Sequence, residues 1–374
     1  MNILVNTVAT GKTGSLSVAF CFVKNIVNKQ EFDNIYVIAS EDFLSEEILN
    51  NKKIIFIKFS RFWLNYLIRP FLDYVYLPLL LKKISPSVII NFDNLPLKTS
   101  FSQLHVVQNS YMGESCIDLD FLSYFEKVKS CIRKSFFYRR LKYVDTVVFQ
   151  TEAMKHSVID KTHNIPNKIT VIPNFVNKDK KIIQEEKQLF IKVDGYKYLL
   201  FLSYYYPHKN FDLLFSVAEE IIKNEININF VTTLPDRIFN RFMKKYPAAN
   251  KSVINVGTLD NDSTSIIYNL VDGVFFPSFL ESMSQVLINA IDNKLPVFVA
   301  DRPYAHSLFG DNAFYFNPYD KQNAFQVVNY INDNQKVEEI LSGYNELQSK
   351  ILSKAQIMDL YVKEIQLLAK INKN

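Results

Sequence analysis

Short apolar runs alternate with longer stretches whose apolar residues recur every three or four positions, and the alternation spans the chain. Runs of four to six residues rich in Val, Ile and Phe read as buried strands, and the longer pattern reads as amphipathic helix. In the first half the strand candidates are 3–8, 35–39, 54–57, 88–90, 104–107, 146–149 and 169–172; in the second they are 198–203, 228–232, 252–256, 273–276 and 296–300. Strands that alternate with helices predict an α/β fold with parallel, doubly wound sheets. Near twelve strands are too many for one compact open sheet and predict two. A stretch at 177–195, rich in Lys, Asp and Glu with weak periodicity, reads as the link between them. The predicted domains are 1–180 and 195–354, and a helical tail at 337–372 closes the pattern.

The length of 374 residues agrees with two domains, and 48% hydrophobic residues supply a core for each. Cys21, Cys116 and Cys131 are widely spaced, with no metal-like pair and no disulfide framework, which favours a reducing cytoplasm. No basic segment followed by a long apolar core stands at the start, so no signal peptide is expected. The most apolar region, 62–81, is interrupted by Arg69, Pro70, Asp73 and Pro78 and falls short of a membrane span. Trp63, with Phe62, Tyr66 and Phe71, reads as helix packing rather than as an aromatic platform for the acceptor.

Charge is unevenly placed. Residues 1–180 hold 23 Lys and Arg against 16 Asp and Glu, within a chain total of +5. Much of the surplus lies in Lys127, Lys129, Arg133, Lys134, Arg139, Arg140 and Lys142, interleaved with Phe136, Phe137, Tyr138 and Tyr143. Two readings are open: a solvated helix face, or a face for anionic lipid headgroups or a phosphorylated lipid. No nucleic-acid module surrounds the stretch, so nucleic acid is not expected as a partner.

The segment 275–290 carries the most chemistry. An apolar run ends at Pro277, a polar turn holds one acid, Glu281, and a helical pattern begins near Gln285 with Val286, Leu287, Ala290 and Ile291 on its apolar side. A helix start offers free backbone N–H groups to an anion. A carboxylate beside it suits hydroxyls rather than phosphate, and phosphate next to sugar hydroxyls describes a nucleotide-sugar. The segment resembles the donor-site motif of glycosyltransferase family 4, a retaining family with the GT-B fold. Pro277, Ser278, Glu281 and Ala290 match the family pattern. Ser282 and Ser284 stand where the family has glycines, and Asn289 where it has a second glutamate.

The resemblance extends along most of the chain. Segment 144–177, with Val171-Ile172-Pro173-Asn174, is similar to a family segment that ends in Gly-Val-Asp, except that Phe175 replaces the glycine. The stretch 301–318, with Gly310-Asp311-Asn312-Ala313 and Phe316-Asn317-Pro318, resembles the family's stretch beyond the donor loop. Lys209 and Asn210, the latter a plausible helix cap, match the Lys-Gly or Lys-Asn that the family has before the helix following the first strand of the second domain. The arginine that usually precedes them is absent, with Ser203 and Tyr204 in its region. The resemblance implies two Rossmann-like domains facing across a cleft, with the tail, about 355–374, crossing back to the N-terminal domain.

The same resemblance assigns roles. Glu281 would bind donor-sugar hydroxyls. Backbone N–H groups from Ser282 and Met283 through Ser284, Gln285 and Val286, with Lys209, would hold the diphosphate. Asn289 would reach the ribose, and Gly257, Thr258 and Leu259 would frame the base. Thr10 to Ser15 is not a P-loop, because Asn6 stands where that motif needs glycine. Gly11 and Gly14 are nonetheless candidates for a loop approaching the donor phosphates or the acceptor, with a plain turn as the other reading. Gln108 aligns with a family histidine near the transferred sugar, with Asn109 beside it; it can exchange hydrogen bonds but cannot titrate. His105, His156, His163, His208 and His306 have no metal spacing, and no metal and no cofactor are expected. His208 reads either as a neighbour of the phosphate or as a turn residue, and His306 is a candidate for the cleft.

The implied activity is a metal-independent, retaining hexosyltransferase. It would use a nucleoside-diphosphate sugar as donor and a saccharide, lipid-diphosphate-linked, as acceptor. Few glycines and many Lys, Asn and Ile resemble enzymes of bacterial surface polysaccharide, O-antigen or capsule, working in the cytoplasm on the inner face of the membrane. Two other classes stay open: a non-catalytic GT-B partner subunit, favoured by the substitutions at 282, 284 and 289, and a GT-B sugar epimerase.

Overall fold

The computed structural model describes residues 1–10, 14–40, 42–64, 68–114, 119–162, 166–175 and 189–371. Gly11, Tyr66, Cys116, His163 and most of the expected link lie outside that set. The chain divides into two compact units, the first of residues 1–119, 123–176 and 352–374, the second of 120–122 and 177–351.

In the first unit seven strands run β1 (Asn2–Thr7), β2 (Asn34–Ala39), β3 (Ile54–Lys58), β4 (Val88–Asn91), β5 (Gln103–Val106), β6 (Thr146–Phe149) and β7 (Lys168–Val171). All pair in parallel, in the order β3-β2-β1-β4-β5-β6-β7. Side chains alternate between faces along each strand. Ile3 and Val5 therefore join one core cluster and Leu4 another. The first cluster takes Phe22, Val23 and Ile26 from the helix Gly14–Ile26, and Ile357, Tyr361 and Ile365 from the helix Lys354–Ile371. Lys29 and Lys168 bind Asp359 and Glu364 of that last helix, at 2.6 and 2.8 Å. Phe175, which replaces the expected glycine, stacks on Tyr361 with centroids 6.0 Å apart.

The second unit contains β8 (Lys197–Phe201), β9 (Ile228–Thr232), β10 (Val253–Asn255), β11 (Gly273–Phe276), β12 (Val297–Ala300) and β13 (Phe314–Phe316), again all parallel, in the order β10-β9-β8-β11-β12-β13. Twelve strands fall where the apolar runs placed them. The thirteenth, Phe314–Phe316, is a three-residue edge strand outside those runs.

Three readings need correction. The tail is not one helix: Asn334–Ser342, Tyr344–Lys350 and Lys354–Ile371 are separate, broken at Gly343 and at 351–353, and the last belongs to the first unit. The basic run is not one face either. On the helix Tyr124–Arg140, Lys134, Phe137 and Arg140 are buried, and Arg140 bonds Asp73 (3.1 Å) and the Pro96 carbonyl (3.2 Å). Finally, Cys131 is disulfide-bonded, so cysteine usage no longer argues for a reducing compartment. Among the described residues no helix is long and apolar enough to cross a membrane.

Candidate functional site

In an open α/β sheet, ligands bind outside the carboxyl ends of the strands, where the strand order reverses. In the second unit that point lies between β8 and β11. The loop after β8 ends in the short turn Pro207–Lys209, and the loop after β11 runs from Pro277 to Ser284. Lys209 Nζ meets Glu281 Oε1 at 2.5 Å, with side chains 15% and 11% exposed. Lys209 also lies 5.2 Å from the centroid of Phe276, the last residue of β11. Sequence reasoning gave these two residues separate ligands, whereas the structure makes each the other's partner.

The loops are tied together by main chain and rings. Phe279 N donates to the His208 carbonyl at 2.8 Å, and Asn210 Nδ2 donates to the Pro318 carbonyl at 2.9 Å. Asn210 therefore does not cap the helix Phe211–Lys223. It adopts a left-handed conformation (φ 54°), which asparagine tolerates, and bonds across to the loop after β13. Phe279 stacks on Tyr319 (5.0 Å) on one side and on Phe121, part of the same unit, on the other (5.1 Å). Tyr304 donates its hydroxyl to the Ser278 carbonyl at 2.8 Å, and burial together with the nearby Glu281 carboxylate holds its acidity far below that of a free phenol. Burial, and then the Lys209 charge, push the His208 pKa down to about 3, so its ring is neutral.

No side chain caps the helix Gln285–Asp292, so the N–H groups of its first turn keep the orphan character that suits an anion. Ser284 is its cap residue by position, and Ser282 and Met283 lead into it. Asn289 sits one turn inside, its side-chain oxygen accepting from Gln285 Nε2 at 2.8 Å. Gly257, Thr258 and Leu259 follow the edge strand β10; Gly257 needs its φ of +73°. Among the described residues no hydrogen bond or ring contact joins these three to Lys209 or Glu281. His306 bonds Asp301 (2.7 Å) and stacks on Tyr315 (4.1 Å) on an exposed surface. The sequence reading passed over Arg302. Apart from Lys209 it is the one Lys or Arg in the described loops after β8, β11, β12 and β13. Its guanidinium lies over Tyr319 at 5.0 Å, and its buried Nε has no hydrogen-bond partner.

In the first unit the order reverses between β1 and β4, and a pocket opens there. Thr10, Ser15, Asp93, Asn94, His105, Gln108 and Asn109 are among its lining residues. Asp93 Oδ2 accepts from Ala9 N (3.2 Å) and Arg69 (3.1 Å), and its Oδ1 accepts from Asn94 N (2.7 Å). Asn109 is committed to the turn Ser110–Gly113, accepting from Tyr111 N. Gln108 is not: both of its amide atoms are buried without a partner, as is Nδ1 of His105. Burial pushes the His105 pKa down to about 3. Gly14 opens the helix beside Ser15, with open space where a Cβ would stand. Nothing in the apolar pattern marks His105 or Asp93 as pocket residues, since both lie in or beside a fully buried strand.

Residues 182–348 match the family model described as Glycosyl transferases group 1. Among curated proteins no sequence match to the chain is found. Solved structures do match over the whole chain. WaaG, a glycosyltransferase involved in lipopolysaccharide biosynthesis, superposes with a TM-score of 0.70 at 14% identity, covering 98% of this chain and 99% of that one. Anabaena HepE in complex with UDP and glucose superposes with a TM-score of 0.66 at 14% identity, covering 98% and 99%. The fold is that of the GT-B glycosyltransferases. TarM is also similar, with a TM-score of 0.55 at 17% identity; 77% of this chain covers 57% of TarM's length.

Proposed function

We propose that the protein is a retaining glycosyltransferase that moves a hexose from a nucleoside-diphosphate sugar to a saccharide acceptor. The observation that carries the reading is the Lys209–Glu281 pair at the strand-order reversal of the second unit, inside the segment that matches the group 1 family model. The donor would bind this second unit. Its diphosphate would lie against Lys209 and the uncapped start of Gln285–Asp292, and its sugar hydroxyls against Glu281. A ligand anion at Lys209 would draw the ammonium from Glu281 and release that carboxylate to the sugar. HepE was solved with UDP and glucose, which supports this ligand class. Asn289 would meet the ribose, and Gly257, Thr258 and Leu259 the base. Neutralising the diphosphate with protein groups would make the reaction metal-independent. With no titrating group at Gln108, the leaving diphosphate itself would take the acceptor's proton on the same face of the sugar.

The first unit would receive the acceptor at the pocket of Asp93, His105 and Gln108. These groups suit hydroxyls: the amide donates and accepts, the imidazole is neutral, and the one carboxylate is already paired with Arg69. The role of WaaG in lipopolysaccharide biosynthesis supports a surface saccharide as acceptor, carried on a lipid diphosphate and met at the inner face of the cytoplasmic membrane. The outward stripe of Phe125, Val128, Lys129, Ile132, Arg133, Phe136 and Arg139 on Tyr124–Arg140 would lie on that membrane.

The test is a thermal-shift screen of the full chain over UDP-, GDP-, ADP- and dTDP-sugars, followed by a transfer assay with EDTA present. One nucleotide class should raise the melting temperature, and product should form with the donor's anomeric configuration. Binding without turnover on any lipid-linked saccharide would favour the partner-subunit reading, and no shift with any donor would defeat both.

A further inference from the structure

We infer that the helical stretch 69–84 of the first unit is an apolar docking face for an anionic phospholipid surface. This deepens the membrane reading above by assigning the contact to a second element. The stretch runs from Arg69–Phe71 through a π-helical turn, Leu72–Tyr76, into Leu77–Ile84. Its inward side is conventional: Leu72, Leu77 and Leu81 are buried in the cluster beneath the sheet. Its outward side is not. Phe71, Tyr74, Val75, Tyr76 and Leu79 are 41–62% exposed, and Phe62 just upstream is 64% exposed. A helix that is apolar all round has found a partner for only one of its faces. Contiguous apolar surface of this kind marks an interaction site.

Charge chooses the partner. From 51 to 100 the sequence holds eight Lys and Arg and two acids, Asp73 and Asp93. Both acids are buried and neutralised: Asp73 by Arg69 (2.7 Å) and Arg140 (3.1 Å), and Asp93 by Arg69 (3.1 Å). No acid of this segment is left on the surface, whereas Lys82, Lys83 and Lys98 are exposed around the apolar side chains. Exposed Phe, Tyr and Leu beside basic residues of the same segment, with Lys98 Nζ 5.4 Å from the Tyr74 ring, fit the interface of an anionic bilayer, where rings and stems enter the acyl boundary and ammonium groups meet phosphates. The ion pair of Asp73 with Arg140, and the Arg140 guanidinium 5.8 Å from the Tyr74 ring, join this stretch to the C-terminal end of the helix Tyr124–Arg140.

The chain's one tryptophan reports on the face. Trp63 stacks on Phe71 with centroids 5.9 Å apart and lies 5.7 Å from Tyr76. The experiment mixes the full chain with phosphatidylglycerol–phosphatidylcholine vesicles, with and without bromine on the acyl chains. Sedimentation and Trp63 emission are followed at low and high salt. The wild type should pellet with the anionic vesicles, and its emission should shift to the blue and be quenched by bromine. The double variant Val75→Ser, Leu79→Ser should weaken binding by roughly ten-fold or more without lowering Tm, since both side chains face water. If the protein pellets but Trp63 is neither shifted nor quenched, the membrane reading survives on Tyr124–Arg140 alone and this inference is overturned. If the anionic vesicles do not pellet the protein and it instead forms dimers that the double variant abolishes, the face is a contact between copies of the chain and the inference is likewise overturned.

Discussion

The two units solve one geometric problem in opposite ways. Each is a parallel doubly wound sheet whose strand order reverses once, between β1 and β4 in one and between β8 and β11 in the other. In the second unit Glu281 and Lys209 neutralise each other, while Arg302 Nε in the loop after β12 is buried without a partner. In the first, both polar atoms of Gln108 and Nδ1 of His105 are buried with nothing to bond. A buried polar atom without a partner costs about 1–3 kcal/mol, which a hydroxylated ligand would recover. A matched pair costs little until a ligand competes for one member. Under the proposed function, a ligand at Lys209 would exchange a partner and one at Gln108 would supply one.

Glu281→Ala should break the comparison most strongly. Losing a charged hydrogen bond to the sugar removes roughly 1.5–3 kcal/mol, about 10–150-fold in kcat/KM. A parallel melting curve excludes unfolding, and near-normal kcat/KM would remove Glu281 from the site. Lys209→Ala comes next. Nucleoside diphosphate affinity should fall roughly ten-fold while nucleoside affinity holds, because the ammonium acts on phosphate. Equal loss for both ligands would make the pair structural.

Gln108→Leu sharpens the contrast, because its amide atoms bond nothing in the protein. Tm should hold or rise while transfer falls roughly 2–10-fold, the value of a neutral hydrogen bond. A lower Tm with unchanged transfer would make Gln108 a packing residue. His105 has the smallest expected effect on transfer; its effect is on stability against pH. Its folded pKa of about 3 lies below the ordinary 6.5, so between those values the unfolded chain takes up a proton that the folded chain refuses. Stability is therefore full above pH 6.5 and falls as pH drops toward 3, by up to about 1.4 kcal/mol per pH unit. His105→Asn should remove that share of the slope in pH-dependent denaturation. His208, shifted the same way, should keep its own.

Much of this was legible in the sequence because it is local. A strand, a loop and a helix in succession are written in periods of side chains, so twelve strands and the loop positions of Lys209 and Glu281 could be read directly. The basic run at 127–143 misled because composition does not say which side of a helix faces inward; Lys134 and Arg140 point into the unit while Arg133 and Arg139 do not. Asn210 misled in another way. Its place before a helix fits a cap, yet its side chain bonds Pro318, 108 residues away.

The sequence alone determined that this is a two-sheet α/β protein with an acid and a base in loops that follow strands. Tertiary structure decided that the acid and the base meet, that Asp73 is held by Arg140, and that Gln108 is left without a bond. Those outcomes depend on the order in which strands lie side by side, which brings residues distant along the chain to one end of a sheet. Side-chain periodicity carries no record of that order.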